Sequence, residues 1–112
     1  VVGLKGVEYM SAYGAAKAGL INFSRATAIE SAPHVRVNCI IPGAVDTPAT
    51  KRAIPDAKIM DATIKTIPLK RIAKPIEIAR PIAFLLSSDA SFVTGASLIV
   101  DGGKTADLNA GN

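Results

Sequence analysis

A chain of 112 residues with 49% hydrophobic and 20% charged side chains has the make-up of one folded domain, which excludes a disordered or low-complexity segment. Its single cysteine excludes an internal disulfide and suits a reducing compartment, with the cytoplasm as the expectation; one cysteine and one histidine are too few for a zinc centre. The net charge is +4, and no apolar run reaches the roughly 18 residues of a membrane span, so neither a membrane partner nor a signal segment is expected.

Val1-Val2 reads as the end of a strand and Gly3 to Met10 as a loop. Ser11 is placed to cap a helix over residues 12–30, where Ala16, Leu20, Phe23, Ala26 and Ile29 recur at helical spacing and Pro33 closes the run. Residues 35–41, VRVNCII, form a β-branched apolar run of the kind found in strands buried on both faces. PGAVDTP follows as a loop over 42–48. Residues 49–66 are irregular to helical, interrupted by Pro55. A helix is predicted from Pro75, allowed at a first helical position, to about Ser88, with Pro81 bending it. Residues 92–95 turn the chain, SLIVDGG from Ser97 is a second strand, and residues 104–112 form a loose tail.

Strands alternating with helices imply an α/β fold with a parallel sheet. Two strands are a poor sheet by themselves, because a parallel sheet needs both faces covered. The mean hydropathy of +0.33 points the same way, towards surface buried against further sequence or partner subunits. The charge is uneven as well. Seven basic and two acidic side chains fall between Lys51 and Lys74, so this stretch either forms a solvated face or attracts an anion. It holds no aromatic residue to stack on bases, and nucleic acid is not the expected partner.

The chemistry lies in SAYGAAKAGL, residues 11–20. Tyr13 and Lys17 are four apart, which on a helix sets their Cβ atoms about 5–6 Å from one another. A phenol ordinarily titrates near 10, and a neighbouring cation favours its anion, so the pair suits general acid/base work. Gly14, Ala15 and Ala16 leave room beside the ring for a flat ligand. Read alone, the same spacing also describes an amphipathic helix edge with no chemistry.

YGAAKAGL, then VRVNCIIPGAVDT, then KPIEIARPIAFLLSSDASFVTGASLIVDGG, resemble in this order the single-domain short-chain dehydrogenases/reductases. The resemblance covers residues 1–103 and implies the C-terminal part of a doubly wound, Rossmann-like domain whose N-terminal half lies outside this stretch. It implies hydride transfer between NAD or NADP and an alcohol or ketone, with the two cofactors not distinguished. Tyr13 matches the family's proton-transferring tyrosine, and Lys17 the lysine that tunes it and binds the nicotinamide ribose. PGAVDT matches the loop at the nicotinamide end of the cofactor. There Pro42 and Gly43 turn the chain, Val45 offers backbone groups to the carboxamide, and Thr47 offers a hydroxyl. Arg36, Asn38 and Asp101-Gly102-Gly103 match structural positions, residues 49–66 the variable substrate lid, and Tyr9 and Met10 the substrate loop. The family's serine would fall just before Val1, and Ser11 is too close to Tyr13 to replace it. Residues 1–112 alone are therefore expected to be inactive. A homodimer or homotetramer is implied, and a non-catalytic assembly module of the same fold is the alternative. His34 is expected in solvent and Cys39 as a small core residue.

Overall fold

The computed structural model describes residues 1–109; the last three residues of the 104–112 tail lie outside that description. Helix α1 spans Ser11–Ser31, β1 Cys39–Pro42, α2 Pro48–Ala53, α3 Ala57–Lys65, α4 Pro75–Leu86 and β2 Ser97–Val100. The two strands pair in parallel, Cys39 opposite Ser97 through Pro42 opposite Val100. The α/β class and the parallel sheet are thus those expected.

Alanine-rich filling gives α1 its propensity, and Pro33 ends it by holding Ala32 in an extended conformation (φ −68°, ψ 147°). Its start differs from expectation. Met10 occupies the cap position with no side-chain cap, and Ser11 is already helical, so the serine does not serve as the cap. The buried face differs too. Ile21 and Ala28 are the residues of α1 in the core, whereas Ala16, Leu20, Phe23, Ala26 and Ile29 are all exposed. The helical period holds, but the side of the helix turned to the rest of the described chain is the one that carries Ile21 and Ala28.

Strand β1 starts four residues later than Val35. The approaching segment bonds to the 93–95 loop instead: Gly95 N–H donates to Val37 O at 2.7 Å and Val37 N–H to Thr94 Oγ1 at 3.1 Å. Arg36 donates to Leu85 O (2.7 Å), Val93 O (3.1 Å) and Ser87 O (3.2 Å), placing a cation on the free carbonyls at the end of α4. Asn38 donates to Val93 O and accepts from Ala96 N–H. Both side chains hold structure, as the resemblance implied.

Val1-Val2 is not a strand, although the Val1 nitrogen donates to Pro42 O at 3.1 Å and so lies beside the carboxyl end of β1. Thr47 and Asp56 cap α2 and α3 on either side of Pro55 by accepting the amides of Thr50 and Lys58. Lys74 offers no cap to α4, and the Glu77 carboxylate compensates by accepting the Lys74 amide at 2.8 Å. The helix continues through Pro81 to Leu86. The core gathers Ile41, Ile67, Leu85 and Ala90 around β1 and α4. His34 is exposed and Cys39 half-buried.

The stretch after β2 is better held than a loose tail. The Asp101 carboxylate accepts the amides of Gly103 (2.9 Å) and Thr105 (2.7 Å), and Lys104 N–H reaches Asp101 O at 3.3 Å. Burial works to raise the Asp101 pKa, but hydrogen bonds from Thr105, Gly103 and Lys104 outweigh it and hold the carboxyl below its usual range.

Candidate active site

Tyr13 and Lys17 project from the first turns of α1, where the helix passes the carboxyl end of β1. The Lys17 ammonium stands 5.4 Å from the centroid of the Tyr13 ring, over its face rather than bonded to its hydroxyl. Tyr13 is 51% exposed, leaving the phenol accessible. A cavity of about 470 Å³ opens beside the pair, within the usual range of small-molecule sites. Tyr13, Lys17, Pro42 and Gly43 line it together with Met10 of the preceding loop and Ile54 beyond α2. Tyr9, by contrast, points into solvent with a positive φ of 62°.

The other two expected cofactor residues lie further along the loop. Val45 bridges Ala73 in parallel fashion, with Ala73 N–H donating to Ala44 O and Asp46 N–H to Ala73 O. In such a bridge the bonds belong to the residues flanking Val45, so its own N–H and C=O point the other way. Among the described residues they have no partner, which fits backbone groups kept for a polar ligand. Thr47 is already engaged: its oxygen accepts Thr50 N–H at 3.2 Å and lies 3.1 Å from the Thr50 hydroxyl. Whichever hydroxyl donates in that contact, one hydrogen-bonding position of Thr47 is left, either a lone pair or its O–H.

Gly43 is required by packing. A Cβ there would lie 2.8 Å from Asp101 Cα, so the glycine lets the two strand ends converge, and the close partner is protein backbone. Gly3 plays a like part that the sequence did not signal. A Cβ on Gly3 would sit 2.9 Å from the carbonyl carbon of Lys17, so this loop packs directly on the turn that carries the lysine. A glycine in VVGLKG has no local mark that separates close packing from a plain turn. Met10 and Ile54 likewise reach the cavity only through the tertiary fold.

The basic segment is partly neutralised. Lys51 pairs with Asp46 at 3.2 Å, and Arg71 makes a two-pronged contact with Glu77, both bonds 2.7 Å. The Arg71 guanidinium, with the Lys74 amide, draws the Glu77 carboxyl down to about 2. No group of three or more potential metal ligands occurs among the described residues. No helix among them is long and apolar enough to cross a membrane.

In open α/β sheets ligands bind in the crevice beyond the carboxyl ends of the strands, and the cavity lined by Tyr13, Lys17 and Pro42 lies at that end of β1. Residues 1–105 match the family model described as enoyl-(acyl carrier protein) reductase. The chain belongs to the short-chain dehydrogenase/reductase family. Over 104 residues it is 44% identical to a 3-oxoacyl-[acyl-carrier-protein] reductase of Chlamydia trachomatis, an alignment that takes in 92% of this chain and 41% of that protein. It is also 44% identical to the cis-4-hydroxycyclohexanecarboxylate dehydrogenase of Sinomonas cyclohexanicum over 107 residues, 95% of this chain and 42% of that one. Among solved structures, 4-hydroxyisoleucine dehydrogenase complexed with NADH superposes with a TM-score of 0.89 at 32% identity, covering 95% of this chain and 44% of that chain. The chain spans about two fifths of the length of these relatives.

Proposed function

We propose that the native protein is an NAD- or NADP-dependent oxidoreductase that interconverts an alcohol and a ketone, with Tyr13 as general acid/base. The observation that carries this reading is the single cavity shared by Tyr13, Lys17, Pro42 and Gly43. The nicotinamide, when bound, supplies or accepts the hydride. Tyr13 gives its hydroxyl proton to the carbonyl oxygen in reduction and takes it back in oxidation. Lys17 places a positive charge against the phenol ring and favours the phenolate left after proton transfer. The ribose hydroxyls are a natural acceptor for the same ammonium, and the unpartnered Val45 N–H and C=O suit an amide. The relatives support a carbonyl or secondary alcohol as the reacting group, since one is named for a 3-oxoacyl substrate and another for a hydroxycyclohexane. The solved relative with NADH supports the cofactor class.

Tyr13→Phe tests the reading in the native protein. It is expected to lower kcat/KM by about 10²–10⁴-fold, the usual share of acid/base catalysis, while nicotinamide binding followed by fluorescence keeps its affinity. Turnover retained by this variant would overturn the assignment. A second reading, a non-catalytic assembly module, is favoured by Phe23 and Ile29, exposed on α1 outside the Tyr13 cavity. Failure of the native protein to bind any nicotinamide dinucleotide would select it. Self-assembly into a dimer or tetramer is compatible with both readings, as is a cytoplasmic setting.

A further inference from the structure

A second cavity of about 440 Å³ borders the loop that follows β1. Val1, Gly43 and Ala44 line both this cavity and the one that holds Tyr13, so the two are neighbouring compartments around one turn of chain. The outer wall is α3 and the residues just after it, with Ile59, Ala62 and Ile67 supplying apolar surface.

Two threonines on that wall look polar in sequence, yet their hydroxyls are spent. Thr63 donates to Ile59 O at 2.9 Å and Thr66 to Thr63 O at 2.7 Å, within the helix and its last turn. Two of the backbone groups nearby are also engaged: Gly43 N–H donates to Val100 O, and Ala44 O accepts Ala73 N–H. One lining side chain stands apart. Lys104 is half-buried, and among the described residues its ammonium has neither an ion-pair partner nor a hydrogen-bond acceptor. Its backbone is fixed by the Asp101 turn, so the cation is presented from an ordered position.

We infer that this compartment holds the non-reacting part of the substrate, and that Lys104 on its lining pairs with an anionic group there. The class is a ketone or secondary alcohol with an apolar body and a terminal negative charge. An ammonium carries three donors and no acceptor, and half-burial strips water that only an anion replaces well. Apolar walls with one placed charge give such a site both affinity and orientation. The inference rests on Tyr13 as the reacting end, and Lys104 acts as a specificity-determining residue remote from it.

The test compares 4-oxocyclohexanecarboxylate with its methyl ester in the native protein, with and without Lys104→Met. The acid is expected to exceed the ester in kcat/KM by about tenfold or more, through KM, which is the size of one partly desolvated charge pair. Lys104→Met should close that gap and Lys104→Arg should keep most of it. Arg80→Met removes an exposed cation of α4 that does not line the cavity, and should leave the preference intact. An acid-to-ester ratio unchanged by Lys104→Met, or lost equally in Arg80→Met, would overturn the inference. Equilibrium dialysis of the acid against wild type and Lys104→Met separates this outcome from failure of the catalytic reading. Should Tyr13→Phe retain turnover, weaker binding in Lys104→Met would still uphold the charge pair, and equal binding would dismiss it.

Discussion

Gly43 and Asp101 approach so closely that a Cβ on the glycine would lie 2.8 Å from Asp101 Cα and 2.9 Å from its Cβ. Backbone cannot swing aside as a flexible side chain would, so Gly43→Ala must part the ends of β1 and β2. The expected loss is about 1–3 kcal/mol, typical of overpacking, together with weaker dinucleotide binding because Pro42 and Gly43 line the site. Gly19→Ala gives the contrast. Nothing lies within 4 Å of its added methyl, and the position is mid-helix, so a gain of about 0.5–1 kcal/mol is expected. Thermal melts of the two variants should move in opposite directions.

Arg36 joins three carbonyls, on Leu85, Ser87 and Val93, and among the described residues only that of Val93 is also reached by another side chain, Asn38. A planar fork with five donors spans them, and a lysine ammonium cannot. Arg36→Met should cost about 2–3 kcal/mol in urea unfolding, since three charged hydrogen bonds are lost and the partly buried Leu85 carbonyl is left unpaired. Arg36→Lys should recover less than half of that. Full recovery by lysine would mean that charge alone, rather than the fork, closes the end of α4.

Much of the architecture was legible because it rests on local chemistry. Pro33, Pro48, Pro55 and Pro75 punctuate the chain where the helices begin and end, and the β-branched runs at 39–41 and 98–100 pair as expected. The Tyr13–Lys17 spacing needs only the helical period, which the sequence carries openly. What failed depends on partners distant in the chain. Val35 to Val37 have strand propensity, but their hydrogen bonds go to the 93–95 loop. The outward stripe of α1 has the periodicity of a core face, and only the packing of Ile21 and Ala28 shows which side is buried. Thr47 reads equally well as a ligand group or a cap, and the Thr50 amide claims it. The compartment under Lys104 has no sequence signature, because its polarity depends on which hydroxyls are already bonded.

Glu77 links stability to acid. Its carboxyl falls to about 2, chiefly through the bond from Arg71 and then through the Lys74 amide. A carboxyl more acidic when folded contributes stability that is fully present above its unfolded value of 4.5 and is lost as pH falls towards 2. Glu77→Gln should therefore lower Tm at pH 7, with the difference from wild type shrinking below about pH 4.5 and vanishing near 2. The pair is exposed, so 1 M salt should shrink the difference too. A pH-independent gap would assign the effect to the helix start rather than to ionisation.

The exposed face of α1 carries the last prediction. Phe23 is 66% exposed and Ile29 80%, on the same helix as Leu20, which is an unusual concentration of apolar surface for a face left in water. Covering it releases ordered water in proportion to area, at about 25 cal/mol per Å². We propose a second copy of the native protein as the cover, because the side chains at Ala16 and Ala26 are small enough for two helices to lie close. Phe23→Glu puts a charge at the centre of that contact. Sedimentation equilibrium should show the native protein as a dimer or tetramer and the variant shifted to a smaller species, while the Tyr13 cavity, which Phe23 does not line, keeps its nicotinamide affinity. A native protein that sediments as a monomer would remove self-association as the reason for the stripe, and a variant that also loses nicotinamide binding would place the face within the fold rather than between copies.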